Sequence, residues 1–220
     1  MISSTIVPAL KKHTATVIFL HVSGIGSSGL CSIRSFQGLG DTGYGWLPAV
    51  RSLTRANPTT QHIKWILPHA PKRPITINHG LSMPAWFDMY DFSLVGSEED
   101  REGMLESAGV LKTLIQQELD ETGFHSSRIV LGGFSQGGAM SLLTGLTAQS
   151  KLGGLIVLSA WLPLQRELKE VIVVFDTMQT ETNFIFRCLC RTQLLCHSCG
   201  DMVLMIHLYR TTLRNALSNI

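Results

Sequence analysis

The sequence predicts an α/β fold, a mostly parallel sheet covered by helices on both faces, and three observations carry that prediction. Strand-like and helix-like apolar runs alternate along the chain. A G-x-S-x-G pattern at Gly133, Ser135 and Gly137 sits where one such strand runs into one such helix. The 220 residues, 45% of them apolar, suffice for one sizeable core, so residues 1–220 are expected to form a single domain.

The elements follow in order. Residues 16–20, Thr-Val-Ile-Phe-Leu, are short, β-branched and apolar and read as a first core strand. Lys11-Lys12-His13 in front of them imitates the charged start of a signal peptide, but no small-residue cleavage site precedes Gly24, and an intracellular protein, cytoplasmic with the nucleus as a further location, is expected. A helix is expected over 46–55 and a strand over 62–67. The longest helical pattern, 98–121, has Ser97 as its expected N-cap, Glu98, Glu99 and Asp100 in its first turn, and Met104, Ala108, Leu111, Leu114, Ile115 and Leu119 at helical spacing. A strand over 128–132, a helix over 137–147 and a strand over 154–159 complete the alternation, which calls for a sheet buried on both faces.

Charge and composition exclude several function classes. Charged residues make up 15% of the chain and the net charge is +2, with no basic stripe, so nucleic acid is not an expected partner. No apolar run reaches the roughly 20 residues of a membrane span, and stable membrane insertion is not expected. The five cysteines fall in two stretches, Cys31 in one and Cys188, Cys190, Cys196 and Cys199 in the other. Together with His197 the second group is a poor match to structural zinc spacing, and neither a metal nor a cofactor is expected.

The chemistry concentrates at Gly132–Gly138. Arg128 to Leu131 supply the strand and Ala139 to Leu143 open the helix, which is the setting a nucleophile elbow requires. A serine at the tip of such a turn is exposed above the sheet, glycines two residues away on each side let backbone pass close, and the Gln136 N–H points where an oxyanion would form. Ser135 is therefore the expected nucleophile.

Five motifs in register extend this reading. They are Gly38-Leu39-Gly40-Asp41-Thr42-Gly43, Pro68-His69-Ala70-Pro71, Met83-Pro84-Ala85-Trp86-Phe87-Asp88, Gly132 to Gly138, and Leu158-Ser159-Ala160-Trp161-Leu162-Pro163. In order and spacing the chain resembles the acyl-protein thioesterases, of the phospholipase/carboxylesterase branch of the α/β-hydrolases. The resemblance covers about 16–21 and 38–170. It implies a serine hydrolase that cleaves acyl thioesters or esters, with palmitoylated proteins or lysophospholipids as substrates. It also implies a Ser-Asp-His triad with Ser135 as nucleophile, the N–H groups of Leu39 and Gln136 as the oxyanion hole, and Trp86 beside the acyl site. Trp86 and Trp161 are equally readable as core aromatics, and His69 as a loop residue with a structural hydrogen bond.

Two segments depart from the family pattern. Residues 22–37 separate His21 from Gly38, where the family runs its first strand directly into His-Gly-Leu-Gly-Asp. Gly24, Gly26 and Gly29 spell G-x-G-x-x-G, but no periodic helix follows to face a pyrophosphate, and a dinucleotide site is rejected. Val22-Ser23 and Phe36-Gln37 can be encoded as splice donor and acceptor, so the sixteen residues are expected to be a retained in-frame intron. Residues 171–220 form the second anomaly. With Asp201 encoded as GAC, the codons of Met202 to Tyr209 can be read two bases on, from the last base of that codon, as His-Gly-Ala-Asp-Asp-Pro-Leu-Val, the family's Asp-bearing motif, so a frame-shifted tail is expected. Asp201 and His207 are nearest in type to the missing triad partners, yet neither sits in a matching motif. A catalytically dead binding protein is the alternative function, because the triad Asp and His are not recognisable.

Overall fold

Period-two alternation builds the sheet and decides which helix covers which face. Residues 2–22, 42–91, 98–165, 167 and 205–207 are described in the computed structural model of the chain. The strands are β1 (Ser4–Val7), β2 (Ala15–Leu20), β3 (Ile63–Pro68), β4 (Lys72–Ile75), β5 (Leu81–Pro84), β6 (Ile129–Phe134), β7 (Gly154–Leu158) and β8 (Met205–His207). The helices are α1 (Gly43–Ala56), α2 (Arg101–Thr122) and α3 (Gln136–Leu146). Six strands form the main sheet in the order β1-β3-β2-β6-β7-β8, while β4 and β5 pair as a separate hairpin. The inner pairs β3-β2, β2-β6 and β6-β7 are parallel, and β1 and β8 join antiparallel at the two edges.

On β2 and β3, Val17, Phe19, Trp65 and Leu67 point to one face and pack with Val50 of α1. Ile18, Leu20 and Ile66 point to the other, against Met104, Leu111 and Ile115 of α2 and Ala139, Met140 and Leu143 of α3. Burying strands on both faces in this way is what a parallel sheet demands.

Each expected element is present with ends shifted by a few residues, and α2 shows why the ends move. Ser97 lies outside the described residues, and the helix begins at Arg101 rather than at 98, with Asp100 as its cap. One Asp100 oxygen accepts from the Gly103 N–H at 2.9 Å and the other from the Asp88 N–H at 2.7 Å, so this carboxylate also ties the helix start to the loop after β5. Glu99, left outside the helix, accepts instead from the Leu164 N–H. The sequence patterns do not anticipate β1, the β4–β5 hairpin or β8. These are segments of three or four residues, β4 and β5 with prolines and β1 with a half-exposed Ile6, and none carries a core-length apolar run.

Candidate active site

The site grows from the carboxyl ends of β2, β6 and β7. Ser135 lies between β6 and α3 with φ 52 and ψ −117, a backbone conformation that L-residues seldom adopt. Neighbouring structure holds the strain in place. The Ser135 N–H donates to Leu158 O at the end of β7 (2.8 Å), and the Ala139 N–H donates to Ser135 O (2.9 Å). Two glycines make the turn sterically possible. A Cβ on Gly133 would meet the Gly137 carbonyl carbon at 2.4 Å, and one on Gly137 would meet Leu20 O at 2.5 Å and His21 O at 2.6 Å. The first turn of α3 therefore rests directly on the end of β2. Ser135 itself stays partly exposed.

Gln136 is the first residue of α3, where a backbone N–H has no acceptor within the helix and is available to an anion. Its side chain is 1% exposed and fully engaged. Oε1 accepts from the Trp86 N–H at 2.8 Å, and Nε2 donates to Phe87 O at 2.8 Å. Trp86 is 0% exposed. Its indole N–H donates to His21 O at 3.0 Å, its carbonyl accepts from Ser107 Oγ, and its ring lies 5.5 Å from that of His21. The residue thus reaches the site as a buried link between the end of β2 and the elbow. Trp161, partly buried, sets its ring edge-on to Phe87 at 5.9 Å.

The nearby imidazoles are committed elsewhere. His21 Nε2 accepts from the Ala70 N–H at 2.9 Å while Nδ1 lies 2.6 Å from Val22 O, which fixes the ring as the Nδ1-protonated tautomer. His69 Nδ1 accepts from the Gly43 N–H at 3.2 Å and Nε2 bonds Thr5 Oγ1 at 3.0 Å. The His69 ring is the loop residue with structural hydrogen bonds that its setting between prolines suggests, and burial lowers its pKa. Neither ring has a nitrogen left for Ser135. Leu39, Asp201, the glycines at 24, 26 and 29 and the cysteines lie outside the described residues. His207 sits on β8 opposite Leu155, three residues short of Leu158, about 10 Å along the strand from the level of the elbow. A cleft of about 470 Å³ opens beside Trp86, lined by Ile2, Ala70, Arg73, Val110 and Leu114 among others, and Ser135 is not part of its wall.

A family model described as Phospholipase/Carboxylesterase matches residues 35–196. The chain belongs to this family. The match runs past Glu170, where the motif resemblance ends. Acyl-protein thioesterase 1 of Cryptococcus neoformans is 45% identical over 164 residues, covering 74% of this chain and 60% of the relative. Acyl-protein thioesterase 1 of Gibberella zeae is 46% identical over 179 residues, covering 80% and 68%. The chain thus spans about three fifths to two thirds of the length of these curated relatives. Among solved structures it is similar to Zea mays acyl-protein thioesterase 2, with a TM-score of 0.57 and 29% identity over 78% of this chain and 68% of that one. Arabidopsis thaliana SOBER1 matches with a TM-score of 0.56 and 31% identity over 68% and 63%. The α/β-hydrolase fold expected from the motifs is the fold these neighbours share.

Proposed function

We propose that this protein is a serine hydrolase of acyl thioesters and esters, with Ser135 as nucleophile. The single observation that carries this reading is the strained, partly exposed Ser135 at φ 52, held between β6 and the amino end of α3. Its Oγ attacks an acyl carbonyl, and the developing oxyanion is stabilised by the Gln136 N–H, with the Leu39 N–H as the second donor implied by the family motif. The names of the relatives support acylated proteins as substrates, and the family description supports phospholipid and carboxylic esters, among which the motif resemblance implies lysophospholipids. Trp86 serves the acyl site from behind, as a buried support. The apolar run at 16–20 forms a central strand of the sheet, and we propose a cytoplasmic, and also nuclear, site of action.

Ser135→Ala decides the reading. We expect it to abolish hydrolysis of medium- and long-chain acyl thioesters and reaction with a fluorophosphonate probe, a loss on the order of 10⁴-fold or more. Turnover that survives this substitution and stops with a chelator would overturn it.

One observation favours a second reading, a non-catalytic binding protein. Ser135 needs a base, and both ring nitrogens of His21 and of His69 are already engaged. A chain that folds cooperatively yet leaves Ser135 unlabelled by the probe would establish this alternative. Sequencing the transcript across residues 20–39 and 171–220 tests the expected intron and frame shift: a message that retains both segments in frame removes that explanation for the unrecognisable triad Asp and His.

A further inference from the structure

We propose that the Gln136 carboxamide is a positioning group: by bridging the Trp86 N–H and the Phe87 carbonyl it fixes where the Gln136 backbone N–H and the adjacent Ser135 stand relative to the end of β2. This deepens the serine-hydrolase reading and rests on it for the use of that geometry, but the clamp itself is a structural claim that can be tested alone.

The side chain imitates a strand partner. One carboxamide accepts from one residue and donates to the next, both at 2.8 Å and both buried. Trp86 then passes the constraint on through its indole bond to His21 O, and Ser107 on α2 fastens the Trp86 carbonyl. His21 O is also one of the atoms against which Gly137 is packed. Three segments that are distant in sequence, the end of β2, the loop after β5 and the elbow, therefore close into one ring. Hydrogen bonds alone account for the choice of residue type. A glutamate of the same shape accepts from Trp86 but, ionised, cannot donate to Phe87 O, whereas its protonated form does both. Burial raises the pKa of such a carboxyl, so the repaired state is reachable at mildly acidic pH.

The test compares full-length wild type, Gln136→Met and Gln136→Glu by peptide-resolved hydrogen exchange, each read as protection relative to wild type at the same pH. The ionisable groups that face the clamp, His21 against Trp86 and Asp88 and Asp100 one step beyond Phe87, are common to wild type and both variants, so the ratio isolates position 136. We expect Gln136→Met to lose protection about tenfold in 84–88 and 132–138 while β3 and α2 keep theirs. Gln136→Glu should behave like Met near pH 8 and regain protection near pH 5. Probe labelling of Ser135 should slow by about tenfold in Gln136→Met, as expected when a reacting group is misplaced. Wild-type protection of both segments in both variants overturns the proposal, as does a loss spread evenly over β3 and α2 with no acid rescue, and so does unchanged labelling of Gln136→Met. If wild type itself takes no probe, the hydrolase reading falls while the exchange pattern still decides the clamp.

Discussion

The two ends of the central sheet are built on opposite principles. At the carboxyl edge, where β2, β6 and β7 finish, the backbone is strained, with Ser135 at φ 52 and Ser159 at φ 47, and the polar contacts are neutral: a carboxamide, an indole and main-chain groups. At the amino edge, where β2 and β3 begin, the contacts are ionic. Glu118 of α2, 2% exposed, takes Lys64 Nζ at 2.6 Å and the Thr16 hydroxyl at 2.6 Å, with His13 Nε2 bonded in turn to Thr16. Arg128 at the start of β6 donates to Thr14 O at 2.6 Å. The difference has a physical sense. A site that must meet developing negative charge is served by preorganised dipoles, because a fixed carboxylate beside it would oppose that charge. At the far end, a charge pair staples a helix to two strands where no chemistry competes with it.

Substitutions at each edge sharpen this contrast, and the largest effect is expected at the elbow. Gly137→Ala forces a methyl onto two carbonyl oxygens at the end of β2, and we expect a loss of about 4 kcal/mol in chemical denaturation, or failure to fold. A loss below about 1 kcal/mol would mean that α3 does not need its close seat on β2. At the amino edge, Lys64→Ala leaves the buried Glu118 without its cation and should destabilise by about 3 kcal/mol. The double variant Lys64→Met with Glu118→Leu should recover most of this, since an apolar pair avoids the desolvation of two charges. If the single and double variants are equally unstable, the edge is held by packing and not by the ion pair.

The smallest effect is one of pH. Burial lowers the folded pKa of His69 below its ordinary 6.5. Its contribution to stability is therefore fully present above pH 6.5 and is lost as pH falls through the folded value. Protonation turns Nδ1 from an acceptor into a donor facing the Gly43 N–H. His69→Gln should flatten the decline in melting temperature below that pH, whereas an unchanged slope would assign the decline to other groups.

Local signals made part of the molecule legible. Short β-branched apolar runs at Thr16–Leu20 and Ile129–Leu131, and helical spacing from Met104 to Leu119, require only nearest neighbours on one element, so composition and period reveal them. Gly133, Ser135 and Gly137 are likewise a local geometry, since a strand-to-helix turn this tight restricts its residues wherever it occurs. Short edge strands carry no such period, and β1 exists because β3 offers it an open edge.

By itself the sequence determined the order of the four central strands and three helices and the serine at their sharpest turn, because these depend on periodicity and on the conformations available to each residue type. Only tertiary structure decided that Asp100 rather than Ser97 caps α2, that Lys64 and Glu118 meet, and that Gln136, Trp86 and His21 form one linkage. Lys64 and Glu118 lie 54 residues apart, Gln136 and Trp86 50, and Trp86 and His21 65, while Asp100 is held in its capping place by the Asp88 N–H 12 residues away. A hydrogen bond between such groups is specified by the packing that brings them together, and no spacing in the sequence encodes it.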